Sequence, residues 1–180
     1  STFFGNAQDP MFSKDANGNP GCFMHRQASF ITAFWPEGEN EFAGSKTTVF
    51  PFPVIDASLP KAALGAGDMW GAFNDRDATK AVAEYMLSVE FFDSIAASPD
   101  NSRLSAHASY PAANYNSDLY KEFGQIVADA LSANAFRFDA SDLMPPEVGA
   151  GSFWKEMMNL AVEGPGYVDT ALDNIQKSWP

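Results

Sequence analysis

Residues 65–71 read Gly-Ala-Gly-Asp-Met-Trp-Gly, so Asp68, Met69 and Trp70 directly follow two glycines. Glycine has no Cβ atom, and other groups can therefore approach the backbone closely there. A carboxylate accepts hydrogen bonds and an indole offers a flat apolar face, which together suit a polar, ring-shaped ligand. The spacing fits neither a dinucleotide fingerprint nor a phosphate-binding P-loop, because no Gly-Lys-Ser/Thr sequence follows. The segment predicts a ligand-contacting loop without nucleotide chemistry.

Metal and nucleophile chemistry find little support in the sequence. Cys22 is the only cysteine, which excludes an intrachain disulfide and a multi-cysteine metal site, and we expect it to be a small buried residue. Residues 15–19 imitate the first half of a calcium loop, but Pro20 and Arg26 break the pattern and favour a solvated turn. His107 has no partner at metal-ligand spacing. We predict no metal and no cofactor.

Composition limits the classes of partner. The chain has 180 residues, 46% of them hydrophobic, with 23 acidic against 11 basic side chains and a net charge of -12. This charge opposes the phosphate neutralisation that nucleic-acid binding and anionic membranes require. No stretch approaches the roughly 20 apolar residues of a membrane span. The sequence opens on Ser1 and not on an initiator Met, and we expect it to be a piece of a longer protein.

Four helices are predicted from apolar residues spaced three and four apart. The first is one long helix that follows Asn74-Asp75 and ends at Ser98-Pro99, and the second begins at Ser117 or Asp118 and ends at Asn134. The third begins between Val148 and Ser152 and ends at Gly164. The fourth begins near Val168 and packs antiparallel to the third across a Gly-Pro-Gly link.

Extended segments are few and short. Residues 22–34 predict a short strand running into a short helix, with His25 and Arg26 at the junction. Residues 47–54 have strand composition, but Pro51 and Pro53 confine them to a sheet edge or a strand end. Residues 136–139 are also predicted to be extended.

Four stretches, in this order, resemble one protein family. They are residues 21–32 (GCFMHRQASFIT), residues 49–53 (VFPFP) with residues 65–71, and the tail from residue 136, which contains PPEVGAGSFWK and ends in VDTALDNIQKSWP. Together they are similar to the C-terminal half of bacterial extracellular solute-binding proteins (family 1) of carbohydrate ABC importers, in the alpha-glucoside or maltose-binding-protein-like branch. The resemblance covers nearly the whole chain.

The resemblance implies a fold and a division into lobes. The fold class is α/β, a fragment of the type II periplasmic-binding-protein-like fold, helix-rich with a few short strands. Residues 1–60 and 136–180 would belong to one lobe and residues 61–135 to the other. Each lobe would then need strands from a missing N-terminal half or from a second copy, because unpaired strand edges invite association.

The resemblance also implies a function and its residues. The protein would capture a sugar, most simply an alpha-glucoside, in an interlobe cleft and deliver it to ABC permease subunits without cleaving it. The parent would be periplasmic or extracellular, free or lipid-anchored. The residues implied as ligand-binding are Trp154 first, then Asp68, Met69 and Trp70, then His25, Arg26 and Gln27.

Two other classes of function remain open from the residues alone. A carbohydrate hydrolase would need two carboxylates about 5 to 9.5 Å apart, and Asp139, Asp142 and Glu147 are the candidates. Acidic residues near helix starts usually act as caps and dipole partners instead. The third class is an interaction domain without a pocket.

Overall fold

The computed structural model describes residues 3–37, 39, 47–58, 62–98 and 101–180. Within these ranges the chain forms six α-helices, two short strands and several turns of 3₁₀ helix. No helix in the described part is both long and apolar enough to cross a bilayer. The helices are Asp9–Phe12 (α1), Asp77–Met86 (α2), Val89–Ala96 (α3), Asp118–Ser132 (α4), Phe153–Glu163 (α5) and Val168–Lys177 (α6), and the strands are Ala63–Gly65 (β1) and Phe136–Phe138 (β2).

The two strands pair with each other as a small parallel sheet. The amide of Ala63 donates to the carbonyl of Ala135 at 2.9 Å, and the amide of Asp139 donates to Gly65 at 2.8 Å, so both strands run in the same direction. The extended segment predicted at residues 136–139 is therefore confirmed as β2. The chain divides into two compact units, the first made of residues up to 63 with 67–135 and the second of residues 64–66 with 136–180.

An aromatic cluster forms the core of the first unit. Tyr110, Tyr115 and Tyr120 are buried together with Ala96, and the ring of Phe92 meets that of Tyr110 edge-on at 5.0 Å. Edge-to-face pairs of this kind add to the apolar burial because the ring edge is positive and the ring face negative. The core thus holds α3, α4 and the connecting loop in one unit.

Each buried tyrosine hydroxyl has a hydrogen-bond partner. Tyr110 donates to Asp93 at 2.6 Å, Tyr115 accepts from the amide of Ser105 at 2.8 Å, and Tyr120 lies 2.6 Å from the hydroxyl of the fully buried Thr32. Burial disfavours the phenolate and raises the pKa of both Tyr110 and Tyr120 to about 12.

These pKa values predict alkaline instability. Unfolded tyrosine titrates near pH 10, so the stabilisation by Tyr110 and Tyr120 is complete below about pH 10 and is lost as the pH rises towards 12. We expect the melting temperature, followed by circular dichroism, to fall between those pH values. Tyr120→Phe should have a lower melting temperature than the wild type at pH 8, but its melting temperature should fall less between pH 8 and pH 12. If the melting temperature of Tyr120→Phe fell as steeply with pH as that of the wild type, this account would be contradicted. Tyr85→Phe, on a half-exposed ring, is the matched control.

The prediction of one continuous helix from residue 75 to residue 98 is wrong, because this segment forms two helices. Helix α2 ends at Met86 and α3 begins at Val89. The hydroxyl of Ser88 accepts from the amide of Phe91 at 3.1 Å and donates to the carbonyl of Tyr85 at 2.6 Å. Ser88 therefore caps α3 and ends the preceding turn, although the apolar spacing continues across the break.

Neither strand predicted in the first third is present in the described residues. Residues 22–28 belong to no strand in the described part of the chain, and the helical part of that prediction is a 3₁₀ helix at Ser29–Phe34. Residues 47–54 are likewise without a ladder. Instead, the hydroxyl of Thr48 and the amide of Val49 donate to the carboxylate of Glu122 at 3.1 and 3.4 Å. The prolines in this segment lack the amide donors that a ladder needs.

The second unit is built on α5 and α6, which pack as an antiparallel pair. The hydroxyls of Ser152 and Ser178 lie 2.5 Å apart and join the start of α5 to the end of α6. Gly164 ends α5 with a φ of 81°, a conformation that favours glycine. The predicted helical pair and its Gly-Pro-Gly link are confirmed. The predicted start of α4 at Ser117 and its end at Asn134, with a φ of 52°, are confirmed as well.

Candidate functional site

The two glycines before Asp68 have different surroundings. A Cβ atom at Gly65 would overlap the ring of Phe136, so only glycine allows this strand to lie against that ring. A Cβ at Gly67 would meet no atom of the described residues within 4 Å. The close approach predicted for the glycines is therefore made at Gly65 by a ring of the chain itself. Gly67 has no such neighbour among the described residues.

The side chains after Gly67 are displayed to solvent. Trp70 is 75% exposed, Met69 is 79% exposed and Phe73, further along the same loop, is 97% exposed. Exposed aromatic rings of this size are unusual unless another molecule covers them. This segment, residues 67–73, is called the aromatic loop below.

Asp68 in the aromatic loop pairs with Arg103, a residue that the sequence analysis missed. The guanidinium Nε of Arg103 lies 3.4 Å from a carboxylate oxygen of Asp68, and both side chains are largely exposed. The two residues are 35 positions apart, and Arg103 lies in a loop without apolar periodicity. No sequence signal links them.

The third predicted group, residues 25–27, lies at the entry to the 3₁₀ helix Ser29–Phe34. The guanidinium of Arg26 stands 5.4 Å from the ring centre of Phe52, in a cation–π contact. The side-chain oxygen of Gln27 accepts from the amide of Ala28 at 2.9 Å, so this acceptor is occupied by the backbone. His25 is half-buried. Cys22, predicted to be buried, is also half-buried, with its thiol donating to the carbonyl of Met24 at 2.9 Å.

Trp154 lies in the first turn of α5. Its side chain is 55% exposed, and its ring meets the ring of the half-buried Phe153 edge-on at 5.8 Å. A single π-helical turn at Glu147–Ser152 leads into α5 without a break. The indole of Trp154 thus packs against Phe153, and over half of the residue surface is exposed. It lies in the second unit, whereas the aromatic loop and residues 25–27 lie in the first.

Gly149 fixes the π-helical turn. A Cβ atom there would overlap the carbonyl oxygen of Ser141 and lie 3.1 Å from the Cβ of Met144. The neighbouring Val148 is fully buried, and its amide, like that of Gly149, donates to the carbonyl of Pro145 at 2.9 Å. Close backbone contact at Gly149 therefore sets where α5 begins and where Trp154 is held.

A buried carboxylate ties α5 to the link that precedes α6. Glu156 is 4% exposed, and its Oε2 accepts from the hydroxyl of Tyr167 at 2.8 Å and from the side-chain Nδ2 of Asn159 at 3.5 Å. The hydrogen bond from Tyr167 lowers the pKa of Glu156, and Asn174 lowers it further. The same bond to Glu156 raises the pKa of Tyr167. Buried charge is tolerated here because the ionised form is hydrogen-bonded.

Glu156 predicts acid sensitivity of the second unit. Its folded pKa lies below the unfolded value of about 4.3, so its stabilisation is present above that pH and is lost as the pH falls through the folded pKa. We expect Glu156→Gln to lower the melting temperature at pH 7 and to flatten its fall between pH 5 and 3. Glu163→Gln, on an exposed side chain of the same helix, is the control. Equal pH profiles for wild type and Glu156→Gln would refute this role.

The carboxylates considered for hydrolysis lie in or beside turns, and only Asp139 makes a capping bond. Asp139 accepts from the amide of Ser141 at 2.8 Å and from its hydroxyl at 2.7 Å, and these bonds lower the pKa of Asp139. A general acid needs the opposite shift. Asp142 opens the next 3₁₀ turn and Glu147 opens the π-helical turn, and both are exposed.

The other polar clusters have local roles. The carboxylate of Asp15 accepts from the amides of Asn17 and Asn19 at 2.8 and 2.9 Å, closing the predicted turn and lowering the pKa of Asp15. The Nε2 of His107 lies 2.5 Å from the carbonyl of Leu87, as expected of a locally bonded histidine. Among the residues that the structure describes, no group of three or more His, Cys, Asp or Glu is arranged to hold a metal ion.

Comparison with known proteins gives two relatives at the same level of similarity. The chain is 34% identical over 163 residues to the osmoprotective compounds-binding protein GgtB of Synechocystis sp. PCC 6803. The aligned region covers 89% of this chain and 36% of GgtB. The chain is also 34% identical over 181 residues to the alpha-glucosides-binding periplasmic protein AglE of Rhizobium meliloti. The aligned region covers 99% of this chain and 37% of AglE. No family model and no solved structure matches the chain.

These relatives bear on the predictions directly. The resemblance to extracellular solute-binding proteins is confirmed, because both relatives are binding proteins and the similarity runs through nearly the whole chain. Both relatives are named for what they bind, and neither name describes an enzyme. The chain spans just over a third of the length of these curated relatives.

Proposed function

We propose that this chain, as part of a periplasmic solute-binding protein, takes part in capturing a small carbohydrate, most simply an alpha-glucoside, for uptake by an ABC importer. The observation that carries the proposal is 34% identity along 99% of the chain to a protein named for binding alpha-glucosides. The exposed rings of Trp154 and Trp70 support it, because neither indole is used up in a core.

The side chains suit a sugar on chemical grounds. Sugars present flat C–H faces that stack on indoles and hydroxyl rims that both donate and accept hydrogen bonds. Trp154 supplies one such platform, and Trp70 with Met69 supplies another on the aromatic loop. Asp68 accepts from hydroxyls, while His25, Arg26 and the free amide of Gln27 donate to them. Asp139 is bonded within a turn and its pKa is lowered, so we favour capture over hydrolysis as the chemistry of this chain.

The fold type and the division into lobes are also proposed. We infer an α/β fold of the type II periplasmic-binding-protein kind, of which the helices and the small parallel sheet are a part. The resemblance assigns residues 1–60 and 136–180 to one lobe and residues 61–135 to the other. That assignment differs from the compact units of this chain in where it puts residues 1–60, and it is a proposal about the parent protein.

The proposal includes partners and a location. Large apolar side chains are exposed in both units, with Phe73 at 97% and Val162 at 80%, as expected where further polypeptide covers them. We propose that the rest of the parent protein, or a second copy, supplies that cover. The ligand-loaded protein would then meet the membrane permease in the periplasm or at the outer cell surface, free or on a lipid anchor.

Titration of tryptophan fluorescence tests the proposed function. The chain, and the product of the whole reading frame that contains it, are titrated with maltose, sucrose and trehalose. We expect a saturable change and full recovery of the intact sugar. Release of monosaccharides would favour a hydrolase. No saturable change in either protein would overturn carbohydrate binding and leave an interaction domain without a pocket.

A further inference from the structure

Arg103 meets the aromatic loop through a loose ion pair. Its Nε lies 3.4 Å from Asp68, whereas a tight charge-assisted hydrogen bond measures about 2.7–2.9 Å. The two side chains are 64% and 85% exposed, and exposed pairs of this kind contribute only about 0–1 kcal/mol to stability. The pair is therefore open to a ligand group and has little part in holding the fold together.

The backbone on both sides of Arg103 is held by buried side chains. Asn101 is buried, and it accepts from the amide of Arg103 and donates to its carbonyl, each at 3.0 Å. Two residues later the amide of Ser105 donates to the hydroxyl of Tyr115 at 2.8 Å, which ties the segment to the aromatic core. A side chain presented from a fixed backbone loses less freedom when it binds.

We propose that Arg103 is a further ligand-contacting residue, whose guanidinium donates to a sugar hydroxyl that in turn donates to Asp68. This rests on the proposed function and deepens it at the aromatic loop. A hydroxyl is both donor and acceptor, so one group of the ligand satisfies both members of the pair. Arginine suits the task because its planar fork keeps donors in fixed directions while one nitrogen faces the carboxylate.

The pairing also defines the class of ligand. Asp68 balances the charge of Arg103, so the pair offers donors and acceptors with no net charge to attract an anion. The whole chain carries a net charge of -12, which further opposes an anionic ligand. The pair therefore selects uncharged sugars or polyols over sugar phosphates and uronic acids.

The test measures affinity in the full chain carrying Arg103→Ala or Arg103→Lys, with Arg76→Ala as the matched control. Arg76 is also an exposed arginine of the first unit, and its Nε donates to its neighbour Asn74 at 3.1 Å. Maltose, sucrose and trehalose serve as neutral probes and glucose 1-phosphate as the anionic one. Melting temperatures of all variants are recorded alongside.

We expect Arg103→Ala to weaken binding of the neutral sugar about tenfold, Arg103→Lys to restore part of it and Arg76→Ala to change it less than twofold, with unchanged melting temperatures. Wild-type affinity in Arg103→Ala, or tighter binding of glucose 1-phosphate than of every neutral sugar by the wild type, would overturn the inference while the proposed function stands. Absence of saturable sugar binding by both the wild-type chain and the product of the whole reading frame would overturn the inference and the proposed function together.

Discussion

Replacing Trp154 by alanine is expected to weaken alpha-glucoside binding by about tenfold or more, which corresponds to roughly 1.4 kcal/mol. The indole is 55% exposed at the start of α5, so its removal takes away a stacking face without opening a core cavity. The melting temperature should therefore change little. Calorimetric titration of the wild type and the variant measures the difference.

Trp179→Ala is the matched control for this prediction. Trp179 is 45% exposed and lies beyond the end of α6, and it was not assigned to the ligand. Its loss should leave the affinity within about twofold, because removing an exposed ring outside the site changes no ligand contact. Equal affinities of Trp154→Ala and the wild type, or equal losses in both variants, would remove Trp154 from the site.

The substitution Gly149→Ala is expected to be the most damaging change to the fold of the second unit. The new methyl group would overlap the carbonyl oxygen of Ser141, and backbone atoms have little room to move aside. Overpacking of this kind costs about 3 kcal/mol, which lowers the melting temperature of a chain this size by roughly 6–12 °C. Because Gly149 sets the start of α5, sugar binding through Trp154 should weaken as well.

Gly151→Ala, in the same π-helical turn, separates this effect from a general loss of glycine. A Cβ atom at Gly151 would lie 3.6 Å from the carbonyl oxygen of Pro146, an ordinary contact. We expect this variant to melt within about 2 °C of the wild type, since alanine fits there without strain. Comparable destabilisation by both substitutions would contradict the role assigned to Gly149.

The helices near the end of the chain could be predicted because local chemistry decides them. Gly164 takes a positive φ at the end of α5, Asn134 does the same beyond α4, and Ser117 caps the start of α4 through the amide of Tyr120. These signals act over a few residues and are visible in the sequence.

One error arose at a local cap that the apolar spacing hides, and the others arose where distant contacts decide the structure. The break at Ser88 interrupts a helix whose apolar spacing does not change there. Strand β1 is defined by its pairing with β2, more than seventy residues later, and its three residues carry no strand pattern of their own. Residues 47–54 have strand composition but bond to Glu122 on α4.

The candidate site could be predicted only as separate side chains. Composition and order of motifs pointed to Asp68, Trp70 and Trp154, and their rings and carboxylate are accessible to a ligand. Arg103 could not be found in this way, since its position depends on Asn101 and on the fold of the aromatic core. Its proposed role rests on three-dimensional contact alone.

Nuclear magnetic resonance of the four indole N–H groups during titration with the tightest-binding glucoside tests the central claim most directly. The signals are assigned with single Trp→Phe variants, and the sugar is analysed afterwards. Contact of Trp154 and Trp70 with an intact sugar predicts that their two signals shift and saturate together, while those of Trp35 and Trp179 stay in place. Stationary signals for both Trp154 and Trp70, or a cleaved sugar, would contradict it.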